Sequence, residues 1–254
     1  MKEKGIVNAL KPQWQNLIRL NWPFGLLLIF LFGLPRFILV LSASVTGMYS
    51  LIAVLFILMW VTPWVLLTAK GRKLIGIRSP TSISWMIGSF ILGVGACALI
   101  YFIGKWLFFN SNNNWFVYLS RTYQTPAGEI DPAGRLTYFF IFAAIGMTFS
   151  PIGEELLYRG LIHQCFTGKF GEHGASMVDS GAFAITHLAH FGIVYVSGRW
   201  QFLWLPAIFW VLFIFLVGRM FYYCKVKTGS IMGAVISHAG FNLAMTYFII
   251  YHIL

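Results

Sequence analysis

Apolar residues run along this chain in blocks much longer than a soluble helix or strand requires, separated by short polar breaks. A helix crossing hydrocarbon needs about 20 mostly apolar residues. Seven blocks meet that length, at roughly 23–42, 46–68, 82–108, 136–157, 177–196, 202–223 and 229–253. Lipid offers no water to satisfy backbone N–H and C=O groups, so blocks of this kind predict helices. The first contains Pro35 and Arg36, which predicts a kinked or shortened span. The fifth carries two histidines and is the least apolar. The pattern therefore predicts an all-α polytopic membrane helix bundle of about seven transmembrane helices. It reads as a single membrane domain over 1–254, with N-terminal helices and a loop in 1–135 and a second group of helices in 136–254.

Composition agrees with this pattern. Of 254 residues, 59% are hydrophobic and 10% charged, where a soluble domain carries about a quarter charged. The net charge of +11 would suggest nucleic acid in a soluble protein. Here the basic residues cluster in short segments between apolar blocks, which suits topology signals and anionic headgroups instead. Lys2, Lys4, Lys11, Arg19, Lys70, Arg72, Lys73, Arg78, Arg159, Lys169, Lys225 and Lys227 share one side if the N-terminus is cytoplasmic. Only Arg121, Arg135 and Arg199 fall on the other, with Lys105 near an edge. The bias predicts a cytoplasmic N-terminus and an extracytoplasmic C-terminus. It leaves the polar loop 109–135 outside, and it argues against nucleic acid as a partner. The N-terminal segment has no small-residue cleavage site, so the first apolar block reads as a retained anchor. Three scattered cysteines without a CxxC pair give no disulfide framework or structural zinc site.

Ionisable residues at membrane depth are costly and are functional candidates by default. The short list this chain offers is Glu154, Glu155, Arg159, His187, His190, Arg219 and His238, together with the amide Asn242. Residues four apart share a helix face. Glu155 can thus pair with Arg159, Phe183 lies beneath His187, and His238 lies beneath Asn242. Glu154 is turned about 100° from Glu155, so one carboxylate can be structural while the other faces a cavity. His238 lies nine residues into its block, about 14 Å deep. Each element alone also suits a packing role, since His and Asn bond across membrane helices and small residues surround His238. Together, a carboxylate, two histidines and an amide on three helices suit general-base chemistry. The carboxylate takes a proton from water, a histidine helps hold that water, and a second histidine and an amide donate to an oxyanion.

In order and spacing, "EELLYR", "FAITH" and "HAGFN" fit EExxxR, FxxxH and HxxxN. They resemble the CAAX protease and bacteriocin-processing family (CPBP, or Abi), which includes the Ras-converting endopeptidases. The resemblance covers about 150–245. It implies an intramembrane glutamic endopeptidase that needs no cofactor or metal. Glu154 would activate water with help from His187, and His238 and Asn242 would form the oxyanion site. Glu155, Arg159 and Phe183 would be supporting residues, with His190 outside the motif behind them. The family pattern of eight membrane helices implies a last helix that is very short or missing here. Implied substrates are membrane-associated peptides or proteins: prenylated CAAX-like proteins, bacteriocins or signalling peptides. The implied setting is a bacterial plasma membrane, with the lipid bilayer as solvent.

Three other readings compete. Two histidines with a glutamate form a conceivable zinc set, but no HExxH occurs. A non-catalytic immunity or scaffold protein would share the same motifs. A proton-relaying transporter would use the same residue types, but the sequence lacks inverted repeats.

Overall fold

The computed structural model describes residues 9–123 and 132–254. Lys2, Lys4 and the loop segment 124–131 lie outside them. Helix α1 (Trp22–Thr46) is followed by α2 (Ser50–Leu66) and α3 (Ile83–Phe108). Helix α4 (Pro132–Glu154) passes through a π-helical segment, Glu155–Ile162, directly into α5 (His163–Thr186), which is itself broken by a kink at Gly171, where φ is 67° and ψ 178°. A hairpin of β1 (Ile193–Val196) and β2 (Arg199–Phe202) leads to α6 (Trp204–Thr228) and α7 (Ile231–His252). By length and apolarity, five helical stretches among the described residues can cross a membrane, because α4 and α5 form one stretch of 58 residues and α2 has only 17.

Local chemistry sets the helix ends. The side chains of Asn21, Ser82 and Ser230 each accept a bond from a backbone N–H of the first turn of α1, α3 and α7. These are the N-cap residue types that satisfy otherwise orphaned donors. Helices α1 and α6 stop at Gly47 and Gly229, both in the left-handed region. Within α1, Pro35 lacks an N–H and crowds the carbonyl four residues earlier. A π turn at Ile29–Gly33 precedes it and absorbs the fault by widening one turn. The predicted kink is therefore a bulge, and the span is not shortened. Beyond it Phe32, Arg36, Val40 and Ala43 form a buried stripe, which puts a guanidinium inside the bundle.

The fifth block departs from its expected form. A helix was predicted to continue to 196, but α5 ends at Thr186 and a 3-10 turn covers His187–Ala189. Ser197 and Gly198 have φ of 50° and 77°, the signature of a two-residue hairpin loop. Ile193 pairs with Phe202 and Val196 with Arg199. Hydropathy alone cannot tell a short apolar strand from the end of a buried helix. Among the described residues, the bundle's regular elements are thus helical apart from this hairpin.

The surface and interior fit a lipid environment. Leu31, Ile38, Ile91, Phe102, Trp106 and Ile208 point outward from their helices, and a water-soluble protein rarely exposes so large an apolar surface. The protein is a multi-pass membrane protein. Basic and aromatic side chains meet at one end of the helices: Lys227 lies over Trp85 and Tyr223, and Lys169 over Trp22. This is the character of a membrane–water interface. Helix α7 is the most enclosed of the spans. It lies so close to α3 that a side chain at Gly93 would strike the carbonyl of Ser237, the small-residue contact typical of membrane helices.

Candidate active site

Glu154 and Glu155 stand where α4 passes into the π segment. Both are fully buried, as is Arg159. The predicted pair is present: Arg159 Nη1 donates to Glu155 Oε1 over 3.2 Å. Arg159 Nε also lies 3.6 Å from Asp179 Oδ1 on α5, and the guanidinium sits over the Phe183 ring at 4.2 Å. A side chain at Gly218 of α6 would collide with this guanidinium, so the close approach of α6 depends on glycine there. Asp179 reaches on to His163, whose Nδ1 is 2.8 Å from Asp179 Oδ2.

Glu155 was expected to face away from the site. Instead its Oε1 accepts a second bond, from His238 Nδ1 at 2.9 Å. The motif segment is π-helical, and this wider turn brings both glutamates inward, where an ideal α-helix would splay them. His238 Nε2 then faces Glu154 Oε2 at 3.8 Å. The imidazole of α7 bridges the two carboxylates of the first motif.

Glu154 was expected to be free and to face a cavity. Its carboxylate is instead fully engaged. Oε1 is 2.6 Å from Arg36 Nη2 in an ion pair between two buried side chains, and Oε2 accepts from Ser150 Oγ at 2.6 Å. Arg36 also donates through Nη1 to Thr186 Oγ1 at 2.9 Å. The protons of Nη2 reach two imidazoles, His187 Nε2 at 3.4 Å and His190 Nε2 at 3.3 Å. His187 Nδ1 donates to the Phe183 carbonyl at 2.7 Å. The ring is thus held as the tautomer with Nε2 unprotonated. Trp210 Nε1 fixes the His187 carbonyl at 3.0 Å. His190, placed behind the motif on sequence grounds, stands beside His187 with ring centres 5.3 Å apart.

Asn242 is one helical turn from His238, as predicted, but its Nδ2 donates to the Gly146 carbonyl of α4 at 2.8 Å. It therefore ties α7 to α4, and one amide proton and the amide oxygen remain for other partners. Arg219 is on the outside of this arrangement and contacts His173. Among the described residues, no group of three or more His, Cys, Asp or Glu side chains is placed to hold a metal ion.

A cavity of about 490 Å³ opens onto these groups. Arg36, Ser150, His187, His190, His238 and Asn242 form its polar end. Most of the rest is apolar, including Ile52, Ala53 and Phe56 of α2, Ile145 and Phe149 of α4, and Met245 of α7, with the hydroxyl-bearing Tyr49, Thr122, Tyr123 and Thr246 among them. Glu154 is not part of the lining, but three of its neighbours, Arg36, Ser150 and His238, are.

With this arrangement established, residues 136–244 match the family model described as type II CAAX prenyl endopeptidase Rce1-like. This segment is similar to the Rce1-like family. The three motifs all fall inside it, in agreement with the resemblance they carry. No curated protein and no solved structure matches the chain. The Rce1-like segment supplies both glutamates, Arg159, both motif histidines and Asn242, whereas Arg36 comes from α1, before the segment begins. Sequence reading treated Arg36 only as a fault in a span. A lone arginine in a 20-residue apolar block was the signal available, since an unpaired charge at membrane depth is not tolerated. Asp179, within the fifth block, carried the same signal.

Proposed function

We propose that the protein is an intramembrane endopeptidase that hydrolyses a peptide bond of a membrane-associated substrate, with Glu154 as the base. The carrying observation is the meeting of His187 and His238 at the polar end of a largely apolar cavity, with Glu154 behind that lining against Arg36 and His238. In this reading the apolar part holds the lipidated or hydrophobic portion of the substrate, and the scissile carbonyl lies at the polar end. Water beside Glu154 Oε2 gives up a proton to that oxygen and attacks the carbonyl; as the adduct collapses, the same proton passes to the leaving amine nitrogen, the C–N bond breaks and the carboxylate is restored. The free amide proton of Asn242 is available to the developing oxyanion, and His238, whose Nδ1 already donates to Glu155, joins it through Nε2, 3.8 Å from Glu154 Oε2, when the ring carries a second proton. Glu155 aligns His238 through its 2.9 Å bond, and Arg159 secures Glu155. The Rce1-like match favours a prenylated CAAX-like protein as substrate, ahead of a bacteriocin or signalling peptide; the setting in this proposal is a bacterial plasma membrane.

The ion pair that closes over Glu154 favours a second reading, a non-catalytic membrane immunity or scaffold protein that uses the cavity to bind a peptide. One experiment separates them. Purified protein in liposomes is incubated with a farnesylated CAAX peptide, and products are identified by mass spectrometry. Cleavage by the wild type and none by a folded Glu154→Gln variant supports the protease. Peptide binding without cleavage by either supports the scaffold.

A further inference from the structure

We propose that Arg36 is a positioning residue for this site, the fixed cation around which Glu154, His187 and His190 are arranged. The catalytic consequence rests on the endopeptidase reading above, but the arrangement itself does not. The guanidinium is buried, and its two amino nitrogens divide their work. Nη1 anchors to Thr186 at the end of α5, 2.9 Å away. Nη2 touches the carboxylate and both imidazoles at 2.6, 3.4 and 3.3 Å.

Two effects follow from this geometry. An arginine only donates, so both imidazoles must present an unprotonated Nε2 to it. For His187 the Nδ1 bond to Phe183 enforces the same tautomer from the other side. The pair with Arg36 also holds Oε1 of Glu154, leaving Oε2 toward Ser150 and His238. Arg36 therefore selects which carboxylate oxygen meets the reactants and which nitrogen His187 presents. A lysine has one donor centre where arginine has a planar fork, and it cannot hold Thr186 and the three-membered cluster together. The site spans the chain: the α1 bulge positions a residue that the Rce1-like segment does not contain.

The test uses full-length protein in lipid with ¹⁵N-labelled histidine. The six histidines are few enough to resolve, and Gln substitutions assign His187 and His190. Arg36→Gln shifts the side-chain nitrogen signals of His187 and His190 while those of His163 and His252 stay in place. Arg36→Lys is read the same way and serves if the glutamine variant does not fold. Unmoved His187 and His190 signals in either folded variant overturn the proposal. In parallel, cleavage of the farnesylated peptide falls about 100-fold in kcat in the folded variant, with KM changed by no more than about twofold. A wild type that cleaves nothing defeats the endopeptidase reading and leaves the histidine spectra to decide the role of Arg36. A variant with raised KM and unchanged kcat shows a substrate contact instead, and that also overturns the proposal.

Discussion

Arg36 Nη2 and Glu154 Oε1 stand 2.6 Å apart with both side chains buried, joining α1 to the first of the three motifs. The residues are 118 positions apart in the chain, and the contact places a compensating charge on a carboxylate in a membrane interior. Removing one member of such a pair leaves the other uncompensated.

Glu154→Gln keeps the size and most of the hydrogen bonds of the side chain but cannot take a proton from water. In the folded fraction, cleavage of a farnesylated peptide is expected to fall by about 100- to 10,000-fold, with a lower melting temperature in detergent because Arg36 loses its buried counter-charge. A folded Glu154→Gln protein that still cleaves would falsify the assignment of the base.

Arg159→Ala should act through the fold. It strips Glu155 and Asp179 of the same buried partner and removes the guanidinium stacked on Phe183. A loss of about 3–5 kcal/mol is expected, seen as lower membrane yield and a lower melting temperature in detergent. Wild-type stability in this variant would show that Glu155 and Asp179 find other partners.

Asn242→Leu removes the bond from α7 to the Gly146 carbonyl of α4. Interhelical bonds in membranes are worth about 0.6–1.7 kcal/mol, so a modest drop in melting temperature should appear. If Asn242 also serves the oxyanion, kcat falls more than stability does. Comparing the two losses separates the clamp from the catalytic role.

Ala53 lines the apolar part of the cavity. Ala53→Trp should fill part of that volume and raise KM for the farnesylated peptide at least about tenfold, with little change in kcat, since it obstructs ground-state binding far from the reacting groups. An unchanged KM would place the substrate elsewhere.

Purified protein is expected to carry no stoichiometric zinc and to keep its activity after chelation. Arg36 Nη2 occupies the point at which His187, His190 and Glu154 converge. Elemental analysis together with assays in EDTA and phenanthroline checks this, and zinc lost in step with activity would reverse the reading.

Much of the protein was readable from its sequence because the relevant information is local. Long apolar blocks must become helices in lipid, where the backbone has to satisfy itself. Residues four apart must share a helix face, and so the Glu155–Arg159 pair was visible at once. The three motifs were visible for the same reason, and residues 136–244 match the Rce1-like family. The fifth block was misread at its end because a hairpin strand and a buried helix end are equally apolar over a few residues.

Tertiary structure decided what stands opposite what. Whether the lone arginine of α1 faces lipid or the interior depends on the π turn that precedes it and on how α1 packs against α5, and neither is encoded in spacing. The inward turn of Glu155 toward His238 depends on the π-helical form of the motif segment, where ideal α geometry points it away. The bond from Asn242 to Gly146 requires α7 and α4 to be neighbours. A side chain's own helix face follows from local periodicity. The charge that balances it can come from any helix, and packing alone determined that Arg36 balances Glu154.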